Sequence, residues 1–168
     1  MDLVEGLGFV RRAVRVETAV DERQQLDVKP RNIVMTSSPR LIDLSVARRE
    51  VDARRISRPV GTDAYMAPEQ CDPARFPEIG PPADVWGLGA TLFEALTGLQ
   101  AFPADGGARF PQLRNSPPSL PDKAPPALAG TVRACLLDDP AQRPTAAELD
   151  DMLEPLGEWS SRAIRRLR

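Results

Sequence analysis

Asp27, Lys29 and Asn32 fall within six residues, and Asp43 follows eleven residues later. Carboxylate and amide oxygens are the hard donors that magnesium takes. A carboxylate can also orient a hydroxyl and receive its proton, and a lysine supplies a compact positive charge for an anion. Aspartate, lysine and asparagine around a proline such as Pro30 also form ordinary turns, so the string alone decides little. Composition narrows the field further. The chain of 168 residues has no histidine, which excludes a Ser-His-Asp triad, a Cys-His pair and any histidine-bound metal within it. Cys71 and Cys135 have no CxxC spacing and give no disulfide framework, which fits a reducing, cytoplasmic setting. With 22 basic and 24 acidic residues and a net charge of -2, nothing in the global charge calls for a nucleic acid. Asp2 and Glu5 stand where a secretory signal needs bases, and the stretch from Val85 to Phe93 is too short to span a bilayer.

The elements that must carry these groups read as follows. Leu3, Leu7, Val10 and Val14 repeat at helical spacing, which predicts an amphipathic helix over 2–22 that cannot run past Pro30. Ile33-Val34-Met35 and Leu41-Ile42 flank a turn cluster and predict a small hairpin. Residues 44–60 are charged and weakly apolar and read as a loop; 61–70 read as irregular, with Pro68 as a breaker. Pro81-Pro82 opens a helix over 82–97, which Gly98 closes. That helix is apolar nearly all round, so it belongs in the middle of the domain. Prolines between 99 and 126 leave room for one short helix near 105–114. Leu128, Val132, Cys135 and Leu136 predict another helix, stopped by Asp138-Asp139-Pro140. A last one runs over 145–156, with Thr145 as N-cap and Glu148 as its capping-box partner.

Asp27-x-Lys29-x-x-Asn32 with Asp43 resembles the catalytic loop and metal-binding segment of protein kinases. Gly61-Thr62-Asp63-Ala64-Tyr65-Met66-Ala67-Pro68-Glu69 resembles the segment that ends in Ala-Pro-Glu in that family. Asp84-Val85-Trp86-Gly87-Leu88-Gly89 resembles the start of its buried central helix, and Asp138-Asp139-Pro140-x-x-Arg143-Pro144 its late arginine motif. The matches come in the family's order, and the Asp-Pro-Ala-Gln-Arg-Pro-Thr stretch is most similar to bacterial, especially actinobacterial, Ser/Thr kinases. The resemblance implies an α+β, mainly α fold: a kinase-like C-terminal lobe over 1–156, with a central buried helix, a small β-hairpin and no N-terminal lobe, followed by a basic tail over 157–168. It implies transfer of the ATP γ-phosphate to Ser or Thr, with ATP and magnesium as cofactors and a protein as substrate. Asp27 is then the catalytic base, Lys29 the phosphate contact, and Asn32 and Asp43 the metal ligands. Gly61 and Thr62 position the substrate, Thr62 bridging Asp27 and Lys29. Glu69 and Arg143 form a buried structural ion pair, and Asp84 receives backbone N–H groups of the catalytic loop.

Three departures from the family pattern matter. Gln25-Leu26-Asp27 replaces His-Arg-Asp, which removes the arginine that would clamp an activation-loop phosphate. Asp43-Leu44-Ser45 replaces Asp-Phe-Gly; Leu44 can stand in for the aromatic packing, while Ser45 is stiffer than glycine. The Gly-rich loop and the strand lysine that hold ATP are both missing, since the only lysines are Lys29 and Lys123. The expectation is therefore a kinase-family chain that is inactive by itself. A pseudokinase-type protein-binding or regulatory module is the alternative. Ser57 among Arg54, Arg55 and Arg58 is a candidate phosphosite, in a stretch that also reads as a solvated basic loop. The tail from Trp159 to Arg168 reads as a solvated helix end or a contact for an anionic membrane surface.

Overall fold

A computed structural model describes residues 23–34, 40–76, 78–104, 106, 109–122 and 124–155. The helix expected over 2–22, the tail over 157–168 and Lys123 lie outside the described residues.

The organising element is α3, Pro82–Thr97. Pro82 occupies the first turn, where a missing N–H costs nothing, and Gly98 closes the helix in the left-handed region (φ 74°). The Gly98 N–H reaches the Glu94 carbonyl at 2.8 Å. Buried side chains occur on every face of this helix, from Ala83 to Ala95. Trp86 stacks on Phe102 with ring centroids 5.3 Å apart. Two glycines set how near the neighbours come. A Cβ on Gly87 would lie 2.9 Å from the Val28 Cβ, and one on Gly89 would lie 2.5 Å from the Cys135 Cβ. Glycine inside a helix costs about 1 kcal/mol against alanine. Here it lets the loop at Val28 and a second helix touch the α3 backbone.

That second helix, α4, spans Pro126–Cys135 and buries Leu128, Thr131, Val132 and Cys135. Their i, i+3, i+4, i+7 spacing is one apolar stripe. The last described helix, α5, covers 146–155 and buries Leu149 and Leu153. Its start is a capping box: the Thr145 hydroxyl accepts from the Glu148 N–H (3.2 Å), and the Glu148 carboxylate accepts from the Thr145 N–H (2.8 Å). Among the described residues between α3 and α4, the proline-rich stretch holds one short 3₁₀ turn, Pro111–Leu113, within the window expected for a helix.

The strands are short. β2 (Ile33–Val34) pairs antiparallel with β3 (Arg40–Leu41), Ile33 opposite Leu41, which is the hairpin that the two apolar runs predict. Residues 44–60 are more ordered than expected. β4 (Arg48–Arg49) pairs antiparallel with β1 (Arg23–Gln24), and Glu50–Ala53 makes a single helical turn, α1, with Ala53 fully buried. A strand of two arginines has no hydrophobic alternation, and its partner lies some twenty-five residues upstream, so no local pattern announces it. Pro68 also differs from expectation. It begins the short helix α2, Pro68–Cys71, because proline suits the first helical position.

Candidate active site

The loop from Gln25 to Asn32 is seated on α3. Leu26 adopts φ +60°, a left-handed conformation that costs a branched side chain about 1–3 kcal/mol. Three contacts hold it there. The Asp84 carboxylate, in the first turn of α3, accepts the N–H of Gln25 (2.9 Å) and of Leu26 (2.7 Å). The Gln70 Nε2 donates to the Leu26 carbonyl at 2.7 Å. Leu26 is itself buried, so an apolar residue suits the site where an arginine would have to reach solvent.

Past this anchor, Lys29 is fully extended and Pro30–Asn32 forms a 3₁₀ turn, with Pro30 at its start. The turn brings two side chains onto one carboxylate. The Lys29 Nζ donates to Asp27 Oδ2 at 2.7 Å, and Asn32 Nδ2 donates to the same oxygen at 3.1 Å. Asn32 Nδ2 also donates to the Asp27 carbonyl at 2.9 Å, which closes the loop on itself. Thr62 comes from thirty-five residues away. Its hydroxyl donates to Asp27 Oδ1 at 2.6 Å and accepts from Lys29 Nζ at 2.6 Å. Asp27 and Lys29 are mostly buried, with 12% and 18% of their side chains exposed. Each Asp27 oxygen therefore has a donor.

Gly61 makes the approach of Thr62 possible. Its φ is +124°, and a Cβ there would lie 2.7 Å from the Leu26 carbonyl oxygen. Beyond it, the loop 63–66 is held by Gln112, whose Nε2 donates to the carbonyls of Asp63 (2.7 Å) and Met66 (2.8 Å). Asp63 also pairs with Arg109 at 3.0 Å. The Tyr65 hydroxyl donates to Glu94 on α3, and burial followed by the Glu94 contact pushes the phenol up to about 12. Lys29, Thr62, Tyr65, Glu94 and Gln100 border a cavity of about 300 Å³ beside the Asp27 cluster.

Asp43 stands apart from this cluster. The Ile42 N–H reaches the Asn32 carbonyl at 2.8 Å, so the hairpin delivers Asp43 next to Asn32. The Asp43 side chain is exposed, has φ +64°, and accepts from its own neighbour, the Ser45 N–H, at 3.3 Å. The Ser45 hydroxyl and then its N–H hold the carboxyl below its ordinary value, with a smaller contribution from the Lys29 charge. Leu44 does not replace a packed aromatic ring: it is 51% exposed. Among the described residues no three His, Cys, Asp or Glu side chains cluster as a metal cage. The donor set nonetheless fits magnesium. Asn32 spends its amide nitrogen on Asp27, and its oxygen and the Asp43 carboxylate are hard donors of the kind magnesium takes. Magnesium commonly takes one or two protein oxygens and completes its shell with water and phosphate.

Glu69 and Arg143 lie behind the site as a fully buried bidentate pair at 2.6 and 2.9 Å. Arg143 also donates to the carbonyls of Pro82, Leu137 and Asp138, and its guanidinium lies 5.0 Å from the Trp86 ring. Ser57 is exposed on the segment after α1. Gln70, Gln112 and the Tyr65–Glu94 contact are not foreseen from the sequence. Neutral amides carry no spacing signal, and each of these contacts joins segments far apart in the chain or spans a loop.

The domain is mainly helical and built on a buried rod, with an Asp-Lys-Asn-Thr cluster on the loop seated against that rod. The chain belongs to the protein kinase domain family, whose model matches residues 25–152. It is 39% identical over 152 residues to the protein described as probable serine/threonine-protein kinase PkwA of Thermomonospora curvata, covering 88% of this chain and 19% of that one. It is 31% identical over 150 residues to serine/threonine-protein kinase PknA of Mycobacterium tuberculosis, covering 85% of this chain and 33% of that one. Serine/threonine-protein kinase GRIK2 of Arabidopsis thaliana is 32% identical over 136 residues, 79% of this chain and 33% of that one. The chain thus spans between a fifth and a third of the length of these relatives.

Proposed function

We propose that residues 1–156 are the C-terminal lobe of a Ser/Thr protein kinase, with 157–168 as a basic tail, and that the lobe serves transfer of the ATP γ-phosphate to a protein Ser or Thr hydroxyl. The observation that carries this reading is the Asp27 carboxylate held between Lys29, Asn32 and Thr62. In the reaction, the substrate hydroxyl replaces one of these donors on Asp27, which orients it and accepts its proton. Lys29 stands on the incoming face and neutralises charge on the moving phosphoryl group. Asn32 and Asp43 are the oxygens that would hold magnesium, and the metal when bound supplies charge neutralisation on the phosphates. Thr62 releases Asp27 and lines the substrate's place, while Gly61 keeps that place open.

The 168 residues by themselves do not complete a nucleotide site, because they contain neither a Gly-rich loop nor a strand lysine. The reading therefore predicts background phosphate transfer from the purified chain. It predicts transfer to Ser or Thr when the chain is joined to the nucleotide-binding lobe of the Thermomonospora relative, and loss of that transfer with Asp27→Asn. Transfer by the isolated chain that depends on Asp27, or a joined protein insensitive to Asp27→Asn, would refute it.

A pseudokinase-type binding module is the second reading. It is favoured by the Asp43 carboxylate closed on Ser45 and by exposed Val34, Ile42 and Leu44 around it. Capture of a protein partner that survives both Asp27→Asn and Asp43→Asn, together with an inactive joined protein, would select it.

A further inference from the structure

The cavity of about 300 Å³ beside the Asp27 cluster has room for a side chain that flanks the phosphate-accepting hydroxyl, and its charges decide which kind. Three charged side chains border it among the described residues: Lys29, Arg31 and Glu94. Two of them are already engaged. Lys29 Nζ donates to Asp27 and Thr62 at 2.7 and 2.6 Å, and Glu94 accepts from the Tyr65 hydroxyl. With Asp27 counted beside Lys29, cations and carboxylates cancel. The preference of the cavity is therefore set by the group that lacks a partner.

That group is Arg31. It is exposed, and among the described residues its guanidinium has no ion pair or hydrogen bond. It is the middle residue of the 3₁₀ turn Pro30–Asn32, so its stem is fixed from both sides. Pro30 has a locked φ, and the Asn32 amide is tied to the Asp27 carbonyl and carboxylate. Its charge is felt at the Tyr65 phenol, another border of the cavity. A guanidinium presents five N–H donors in a planar fork that meets a carboxylate at two points. A cationic side chain entering here would meet two cations and a carboxylate already bonded to Tyr65. An anionic one also meets Glu94, but it gains the whole Arg31 fork, which has no bond to give up.

We propose that Arg31 is a specificity-determining residue, which selects protein substrates carrying an Asp or Glu within a few residues of the Ser or Thr that receives phosphate. The inference rests on the kinase reading and names the substrate class of that same site. An exposed ion pair is screened by water, so the preference for an acid is about fivefold and weakens with salt.

The test is a titration of the 168-residue chain with alanine-rich peptides that contain one serine, read by nitrogen-15 NMR at the arginine Nε–H signals. Each peptide carries one Glu, Gln or Lys, placed in turn at the positions on either side of the serine. At one position or more, the Glu peptide should shift the Arg31 signal and bind about fivefold more tightly than the Gln peptide, with the Lys peptide weakest. Arg31→Gln should remove the preference, and Arg31→Glu should turn it toward Lys. No preference for Glu at any position, a preference for Lys, or one that survives Arg31→Gln would overturn the proposal. The same peptides offered to the chain joined to a nucleotide-binding lobe separate the two readings. Transfer without an acid preference would overturn the role of Arg31 and leave the kinase reading standing. Absence of transfer would count against the kinase reading, and the titration of the chain itself would still decide Arg31.

Discussion

Replacing Asp84 by asparagine probes the joint on which the active loop rests. The carboxylate receives two backbone N–H groups, at 2.9 and 2.7 Å, in a buried setting. An asparagine keeps one acceptor oxygen and turns an NH₂ toward the second N–H, so one bond is lost and two donors face each other. Hydrogen bonds to a charged group are worth about 1.5–3 kcal/mol each. The surviving bond also weakens, because its acceptor is now neutral. Leu26 keeps its φ of +60° only while these bonds hold it, and that conformation by itself costs about 1–3 kcal/mol. A loss of about 2–4 kcal/mol in urea unfolding is therefore expected, a large part of the stability of an ordinary domain. Hydrogen exchange should show the reason for the loss, with the amides of Gln25 and Leu26 losing protection while those in the middle of α3 keep theirs. A variant within about 0.5 kcal/mol of the parent, the scale of an ordinary surface substitution, would refute the reasoning. So would unchanged exchange at Leu26.

Three further outcomes follow from the same contacts. Arg143→Met strands the buried Glu69 carboxylate and should cost about 3–5 kcal/mol, whereas the double variant with Glu69→Leu should cost well short of the sum of its parts in a urea cycle. The chain has one tyrosine, so tyrosinate absorbance reports Tyr65 alone. Its phenol is raised to about 12, so the folded state favours the protonated form; that stability is complete below the ordinary value of 10.0 and is lost as pH rises through the folded value. An absorbance midpoint near 10.0 in the folded chain would contradict the Glu94 contact and the burial. Glu148 is held below its ordinary 4.5 by the Thr145 N–H and then by its hydroxyl, so its contribution is present above that value and fades as pH falls below it. The protection factors of the amides in the first turn of α5, taken relative to the intrinsic exchange rate at each pH, should fall on acidification in the parent and stay level in Glu148→Gln.

What could be read in advance was local in origin. Pro81-Pro82 and Gly98 mark the ends of α3 because a proline lacks an N–H and a glycine tolerates positive φ, and both facts hold wherever the helix lies. The capping box of Thr145 and Glu148 spans one helical turn, and the hairpin joins runs only a few residues apart. The strand Arg48–Arg49 and the turn Glu50–Ala53 escaped because their cause is a partner at Arg23–Gln24 and a core that takes Ala53, neither of which is nearby in the chain. Gln70 and Gln112 escaped for a related reason. An amide becomes a brace only when a distant carbonyl is brought to it.

The residue types at 27, 29, 32, 43 and 62 already name a set of groups able to handle phosphate and magnesium, since charge, hardness and proton affinity belong to the side chains themselves. Their arrangement belongs to the folded chain alone. Thr62 reaches Asp27 across thirty-five residues because Gly61 can pass the Leu26 carbonyl, and Leu26 stays in a costly conformation because Asp84 projects from a buried helix. The same packing leaves Asp43 turned to Ser45 instead of to its expected companions. Side-chain chemistry travels with each residue, but the distances that make it useful come from long-range contacts, which no stretch of sequence contains.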